Sequence, residues 1–161
     1  MLQDPFVLAL PHTMDTPPEA YLSGQAPLPF LRYSQTQIIG RLIEAQLRRL
    51  RITLPNRFEL DSNQSLMGMG AEGHGWAITT PSSFARARRF RDRIALYPFP
   101  DRGFGRTLSL FATEVHVEPM AQLVSTQLRQ LIRTRLVAPV LADHPWLGDS
   151  FHLMADPWGP V

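Results

Sequence analysis

The chain has 161 residues, 44% hydrophobic and 19% charged, with a formal net charge of +2. That length can bury one proper core, and that composition excludes wholesale disorder. There is no cysteine, so disulfide frameworks, thiolate metal sites and cysteine nucleophiles are excluded. No apolar run approaches the ~18 residues that mark a membrane span, so no membrane partner is expected. The opening MLQDPFVLALPH carries Asp4 and no Arg, so it lacks the basic start of a secretory signal and the cytoplasm is the expected compartment. All 16 basic residues are Arg, and so small an excess of charge does not argue for nucleic acid.

Phe6 to Leu10 is a short apolar run ended by Pro11, which reads as one buried strand. Residues 12–26 read as loop with room for one helical turn, and Leu28 to Tyr33 as a second strand entered through prolines. Ser34 and Gln37 have the spacing of a capping box. The helix after them shows Ile38, Ile39, Leu42, Ile43, Leu47 and Leu50 as one stripe. Phe58 to Leu60 is a brief strand, and Asp61 with Gln64 suggests a second capping box, opening a helix that stops near Gly73. Trp76 to Thr80 is a strand, and Thr80 caps a helix whose first residue is Pro81. Arg86, Arg88, Arg89, Arg91 and Arg93 read as the wet face of a short helix. Ile94 to Phe99 and Thr107 to Ala112 are further strands. The longest helix is expected over 119–138, its stripe being Met120, Leu123, Val124, Leu128, Leu131, Ile132 and Leu136. Residues 143–161 read as irregular. Strands alternating with helices define an α/β class.

Gly68-x-Gly70-x-x-Gly73 matches a dinucleotide-binding pattern, but those glycines end a helix and lead into a strand, the reverse of the required order. The five histidines lack zinc-site spacing, and no nucleophile elbow occurs. No enzyme chemistry, metal or cofactor is therefore expected. What remains is polar residues at strand-to-helix corners: Arg32, Tyr33, Ser34, Gln35 and Thr36 at one, Thr79, Thr80, Ser82 and Ser83 at another. Ligands of open α/β sheets settle beyond strand carboxyl ends, against helix starts. The same hydroxyls also serve as caps for orphan amides, and on the residues alone the two readings stand level.

The run Phe58-Glu-Leu-Asp-Ser-Asn-Gln-Ser-Leu-Met67, followed by Gly73-His-Gly-Trp-Ala-Ile-Thr-Thr-Pro81, resembles the effector-binding domain of LysR-type transcriptional regulators. Asp4-Pro-Phe-Val-Leu-Ala-Leu-Pro11 resembles that family's strand into its second subdomain. Pro29-Phe-Leu-Arg-Tyr-Ser34, with Gly40-Arg41 and Leu47-Arg-Arg49, is similar to its next strand and helix. The resemblance covers about residues 2–155 and implies a fold like type 2 periplasmic binding proteins, two α/β subdomains around a small-molecule cleft.

It further implies one complete subdomain plus part of another: residues 2–10 as a crossing strand, 11–100 as the second subdomain, 101–161 as the return crossing and the rest of the first. The winged helix-turn-helix, the linker helix and the opening half of the first subdomain are absent, so this looks like the C-terminal part of a regulator that makes no DNA contact of its own. The implied effector is small and anionic, held by Arg32, Tyr33, Ser34, Gln35, Thr36, Thr79, Thr80 and the backbone of Gly73, Gly75 and Trp76. Self-association or pairing with an intact regulator would follow from family dimerisation. The rival reading is a free-standing solute-binding or regulator-docking module. The long helix, lacking part of its subdomain, is expected to make the isolated chain associate or fray.

Overall fold

The computed structural model describes residues 1–100, 103–111 and 118–155. The chain divides into two units. One comprises Phe6–Phe104, the other Met1–Pro5 with Gly105–Val161.

The Phe6–Phe104 unit is built on five short strands. β2 (Val7–Pro11) lies between β5 (Ala77–Thr79) and β6 (Ile94–Pro98) and runs antiparallel to both. Every residue of β2 is buried, which is why it reads as an unbroken apolar run rather than an alternating one. β3 (Leu31–Tyr33) pairs in parallel with β4 (Phe58–Leu60), and a parallel bridge from Phe30 to Trp76 joins them to β5. β3, β4 and β5 therefore point the same way. Each feeds a helix at its carboxyl end: α2 (Ile38–Arg49), α3 (Asn63–Ala71) and α4 (Pro81–Ala85). A short α1 (Pro18–Leu22) precedes β3. Leu8, Leu31, Ile43, Leu66, Ile78 and Trp76 form the centre of the core.

The helix stripe of α2 is narrower than the sequence suggests. Ile39, Ile43 and Leu47 are buried, together with Gly40 and Gln46, while Ile38 and Leu42 face water. Gly40 is there for close approach, because a Cβ would lie 2.2 Å from the carbonyl oxygen of Ser34. The first expected capping box does not form. The Ser34 hydroxyl accepts from the amide of Thr36 at 3.3 Å, two residues before the helix, and the N-cap position falls on Gln37. The second is displaced by one residue, since Ser62 rather than Asp61 accepts the amide of Ser65. Thr80 caps α4 as read, accepting from the amide of Ser83 with Pro81 first in the helix.

Gly68 and Gly70 fall inside α3, and Gly73 follows it at φ +78°. Gly68 has a packing reason: its absent Cβ leaves 3.2 Å to the Phe90 ring. Arg88–Arg93 of the arginine cluster forms a short 3₁₀ helix with no buried residue, in keeping with the wet face expected. The guanidinium groups of Arg89 and Arg93 lie 4.6 and 5.8 Å from the Phe90 ring centre, and Arg93 pairs with Glu72.

The other unit holds a three-stranded antiparallel sheet ordered β7 (Gly105–Leu108), β1 (Leu2–Pro5), β8 (His152–Leu153). The expected strand over 6–10 is β2, whereas the crossing strand implied over 2–10 is two strands, β1 and β2, one in each unit. β7 begins and ends earlier than the expected 107–112, and Ala112 lies outside the described residues. The side chain of Asp4 is fully buried and accepts from Arg106 Nε at 2.9 Å. β8, with fully buried Leu147 and Phe151 before it, corrects the reading of the last segment as irregular. The long helix runs as α5 (Glu118–Ile132), a π-helical stretch Arg133–Val137, and α6 (Ala138–Asp143). Pro139 cannot donate a backbone hydrogen bond and crowds the carbonyl four residues back. The π-helical stretch ends two residues before it.

Candidate functional site

The parallel direction of β3, β4 and β5 gathers their carboxyl ends, and three helix starts, on one side of the sheet. Alternation along β3 sends its two polar side chains to opposite faces. Tyr33 faces the corners. Its hydroxyl donates to Asn63 Oδ1 at 2.6 Å and shares a hydrogen bond with Thr79 Oγ1 at 3.0 Å. Asn63 Nδ2 in turn donates to the carbonyl of Ser83 at 2.9 Å. One buried phenol therefore ties the end of β3 to the end of β5 and to the start of α3, and through Asn63 to α4.

Arg32 goes the other way. It forms an ion pair with Glu44 of α2, donates to the carbonyl of Leu54 at 3.0 Å and lies over the Phe30 ring. Burial lowers its pKa from the ordinary value, and the charge of Glu59 raises it in part. Arg32 thus holds α2 against the sheet and is not presented at the corner.

The corner itself is layered. Tyr33, Ser34, Thr79 and Thr80 are buried, whereas Gln35 and Thr36 are exposed and Asn63 and Ser83 half-buried. Thr80 Oγ1 bonds Ser83 Oγ at 3.1 Å and Ser82 Oγ at 3.3 Å. Ser34 Oγ bonds Thr36 Oγ1 at 3.0 Å. The outer turn is braced by Arg41, whose guanidinium donates to the carbonyls of Gln35 and Thr36 at 3.3 and 3.1 Å. Gln37 Nε2 reaches the carbonyl of Asp61. The amide of Gln35 donates to the Glu59 carboxylate at 3.2 Å, so the chain's own carboxylate already meets one amide at the start of α2. The polar residues of the corner that reach solvent are accordingly Gln35, Thr36, Asn63 and Ser83, standing on a buried layer of hydroxyls.

Gly73, Gly75 and Trp76 do not join this group. They precede β5, and Trp76, the nearest of them, is three residues from Thr79, or about 10 Å along a strand. The amide of Trp76 bonds the carbonyl of Pro29, and the Trp76 ring packs on Tyr21 and Phe30. A Cβ on Gly75 would lie 2.5 Å from Leu31 Cγ. Gly75 and Trp76 are buried in the core at the amino end of β5 and Gly73 is half-buried before it, so the expected meeting of the two corners with the backbone of Gly73–Trp76 is not seen. Asn63 was missed from sequence. Its only local signal is its place just after the Ser62 cap. Among the described residues there is no group of three or more acidic or histidine side chains that could hold a metal ion.

With this geometry in view, the comparisons with known proteins agree on one class. The family model for the LysR substrate-binding domain matches residues 1–133, and the chain belongs to that family. Its fold is that of type 2 periplasmic binding proteins, α/β throughout.

Solved structures with the same fold include the bromide-bound regulatory domain of HypT from Salmonella typhimurium. It is 19% identical, with TM-score 0.51 over 81% of this chain and 61% of that one. The regulatory domain of CcmR from Synechocystis PCC6803, solved with 2-PG, is 15% identical, with TM-score 0.51 over 78% and 65%. The effector-binding domain of QuiR, solved with shikimate, is 12% identical, with TM-score 0.50 over 66% and 51%. The chain thus spans about half to two thirds of the length of these domains. No curated protein matches it.

Proposed function

We propose that this chain is the effector-sensing part of a LysR-type transcriptional regulator working in the cytoplasm, and that its Phe6–Phe104 unit forms one wall of the effector cleft. The observation that carries the reading is the Tyr33 hydroxyl, which draws the ends of β3 and β5 and the starts of α3 and α4 into one polar corner. On this reading Phe6–Phe104 corresponds to the second subdomain, and the crossings lie at Pro5–Phe6 and Phe104–Gly105. Gln35, Thr36, Asn63 and Ser83 touch the effector. Tyr33, Ser34, Thr79 and Thr80 hold them in place. The family is regulatory rather than catalytic, and the chain acts by binding, without enzyme activity and without DNA contact of its own. Self-association or pairing with an intact regulator completes its role.

A small anionic effector is supported by the related domains, which were solved with shikimate, 2-PG and bromide. In this chain the donors facing such a ligand are amides and neutral side chains. Binding is weak, because a pocket gains most of its affinity by enclosing its ligand. The test is a nitrogen-15 amide titration of the whole chain with shikimate, 2-PG and bromide. The expected shifts fall on residues 35–37, 63 and 80–83. Shifts confined to residues 73–76, or none at the corner at tens of millimolar, overturn the assignment.

A further inference from the structure

We infer that the amino ends of β3, β4 and β5 hold a second small-molecule site, which takes a single aromatic ring carrying a carboxylate. The inference does not rest on the effector reading, because the corner lies at the other end of the same strands. Phe30, Arg57 and Trp76 are the residues that immediately precede β3, β4 and β5. With Tyr21 of α1 and Leu54 they surround a cavity of about 220 Å³. Tyr21, Phe30, Leu54 and Trp76 are buried and form its floor, whereas Pro27, Pro55 and Arg57 reach solvent at its rim.

The walls are preformed. The Trp76 ring meets the Tyr21 ring edge-on at 5.4 Å and the Phe30 ring at a tilt at 4.8 Å. Arg32 donates to the carbonyl of Leu54 at 3.0 Å, which ties the segment before β4 to β3. Prolines at 27 and 29 stiffen one wall, and Pro55 the other. A ligand entering a fixed pocket costs little in ordering the protein. Size and charge then choose the ligand. An apolar cavity of about 150 Å³ takes a benzene ring, so this one has room for one ring and one substituent. Drug-sized ligands occupy pockets of about 300–1,000 Å³. Arg57 is the only charged residue on the wall, and it has no ion-pair partner among the described residues. A guanidinium at the rim favours a carboxylate, and it repels the cations that an aromatic cage otherwise takes.

The probe is benzoate, titrated into the nitrogen-15-labelled whole chain, with benzyl alcohol and acetate presenting the ring and the charge singly. Benzoate is expected to bind saturably, shifting the amides of residues 26, 28, 30, 54 and 57 and the Trp76 indole N–H. Benzyl alcohol should shift the same signals with weaker affinity, and acetate should leave them in place. Arg57→Gln should weaken benzoate by roughly fivefold, the reach of one exposed charge contact, and leave benzyl alcohol unchanged. Ala26→Phe, which sets a ring against the wall, should abolish binding of both. Circular dichroism checks that the variants fold. Acetate reproducing the benzoate shifts, benzoate affinity indifferent to Arg57→Gln, or no saturation at tens of millimolar overturns the inference. Shifts confined to residues 35–37, 63 and 80–83 overturn it too, because they assign benzoate to the effector wall instead.

Discussion

The hydroxyl of Tyr33 lies 3.0 Å from that of Thr79, one at the end of β3 and the other at the end of β5. Both side chains are buried, so the contact is an internal brace. It fixes the spacing of two strand ends whose helices carry the exposed polar groups. Tyr33→Phe keeps the ring and removes the hydroxyl, leaving Thr79 and Asn63 each short of a partner. The expected cost is ~1–3 kcal/mol in urea denaturation, with corner amides shifted in the nitrogen-15 spectrum and Trp76 unmoved. An unchanged midpoint and unchanged corner shifts would show that the brace is idle.

Arg32 and Glu44 form an ion pair with both side chains largely out of water. Removing one charge strands the other, at an expected cost of ~3–5 kcal/mol. Glu44→Gln should therefore destabilise strongly, while R32M/E44L should recover most of the loss by replacing the pair with apolar contact. A double variant no better than the single one would contradict this account.

Gly40 and Gly75 both sit where no side chain fits. In Gly75→Ala the new methyl carbon falls 2.5 Å from Leu31 Cγ and 2.7 Å from the carbonyl oxygen of Pro29. Overpacking of this kind costs typically ~1–3 kcal/mol. Gly40→Ala meets backbone rather than a movable side chain and should cost more, with α2 displaced from the corner. Thermal unfolding of the two variants ranks them.

Burial raises the pKa of Tyr21 above the ordinary tyrosine value of 10.0, against a smaller lowering influence from a hydrogen bond with Thr16. The folded state therefore keeps the proton longer than the unfolded state. Stability from this group is fully present below pH 10 and falls as pH rises beyond it. Tyr21→Phe should flatten the alkaline limb of a stability–pH curve. A limb of unchanged slope would assign it to other groups.

Thr80 tests the cap together with the hydroxyl layer it belongs to. Thr80→Ala removes the acceptor for the Ser83 amide and the contacts with the Ser82 and Ser83 hydroxyls, at an expected cost of at least ~1 kcal/mol. Thr80→Ser should restore most of it in the same denaturation assay.

Local signals carried the element types and their order. Val7–Pro11 is apolar throughout because it is buried on both faces, and Thr80-Pro81 opens a helix because a hydroxyl cap and a preset φ suit that place. The order of these pieces in the chain also carried the family resemblance, which the match over residues 1–133 bears out. Tertiary structure decided what local patterns could not express. Spacing predicts a capping box at Ser34, yet the Ser34 hydroxyl serves Thr36 and Gln37 reaches Asp61, because the neighbouring strand end is within hydrogen-bonding distance. Arg32 and Tyr33 look equally available in sequence, and only the pairing of β3 assigns one to Glu44 and the other to the corner. Gly73–Trp76 is near Thr79 in sequence, but extended backbone carries it to the far end of the sheet. Asn63 joins the corner through partners 30 and 20 residues away. A side chain's rotamer is chosen by such long-range neighbours, and a local pattern of residue types contains no record of them.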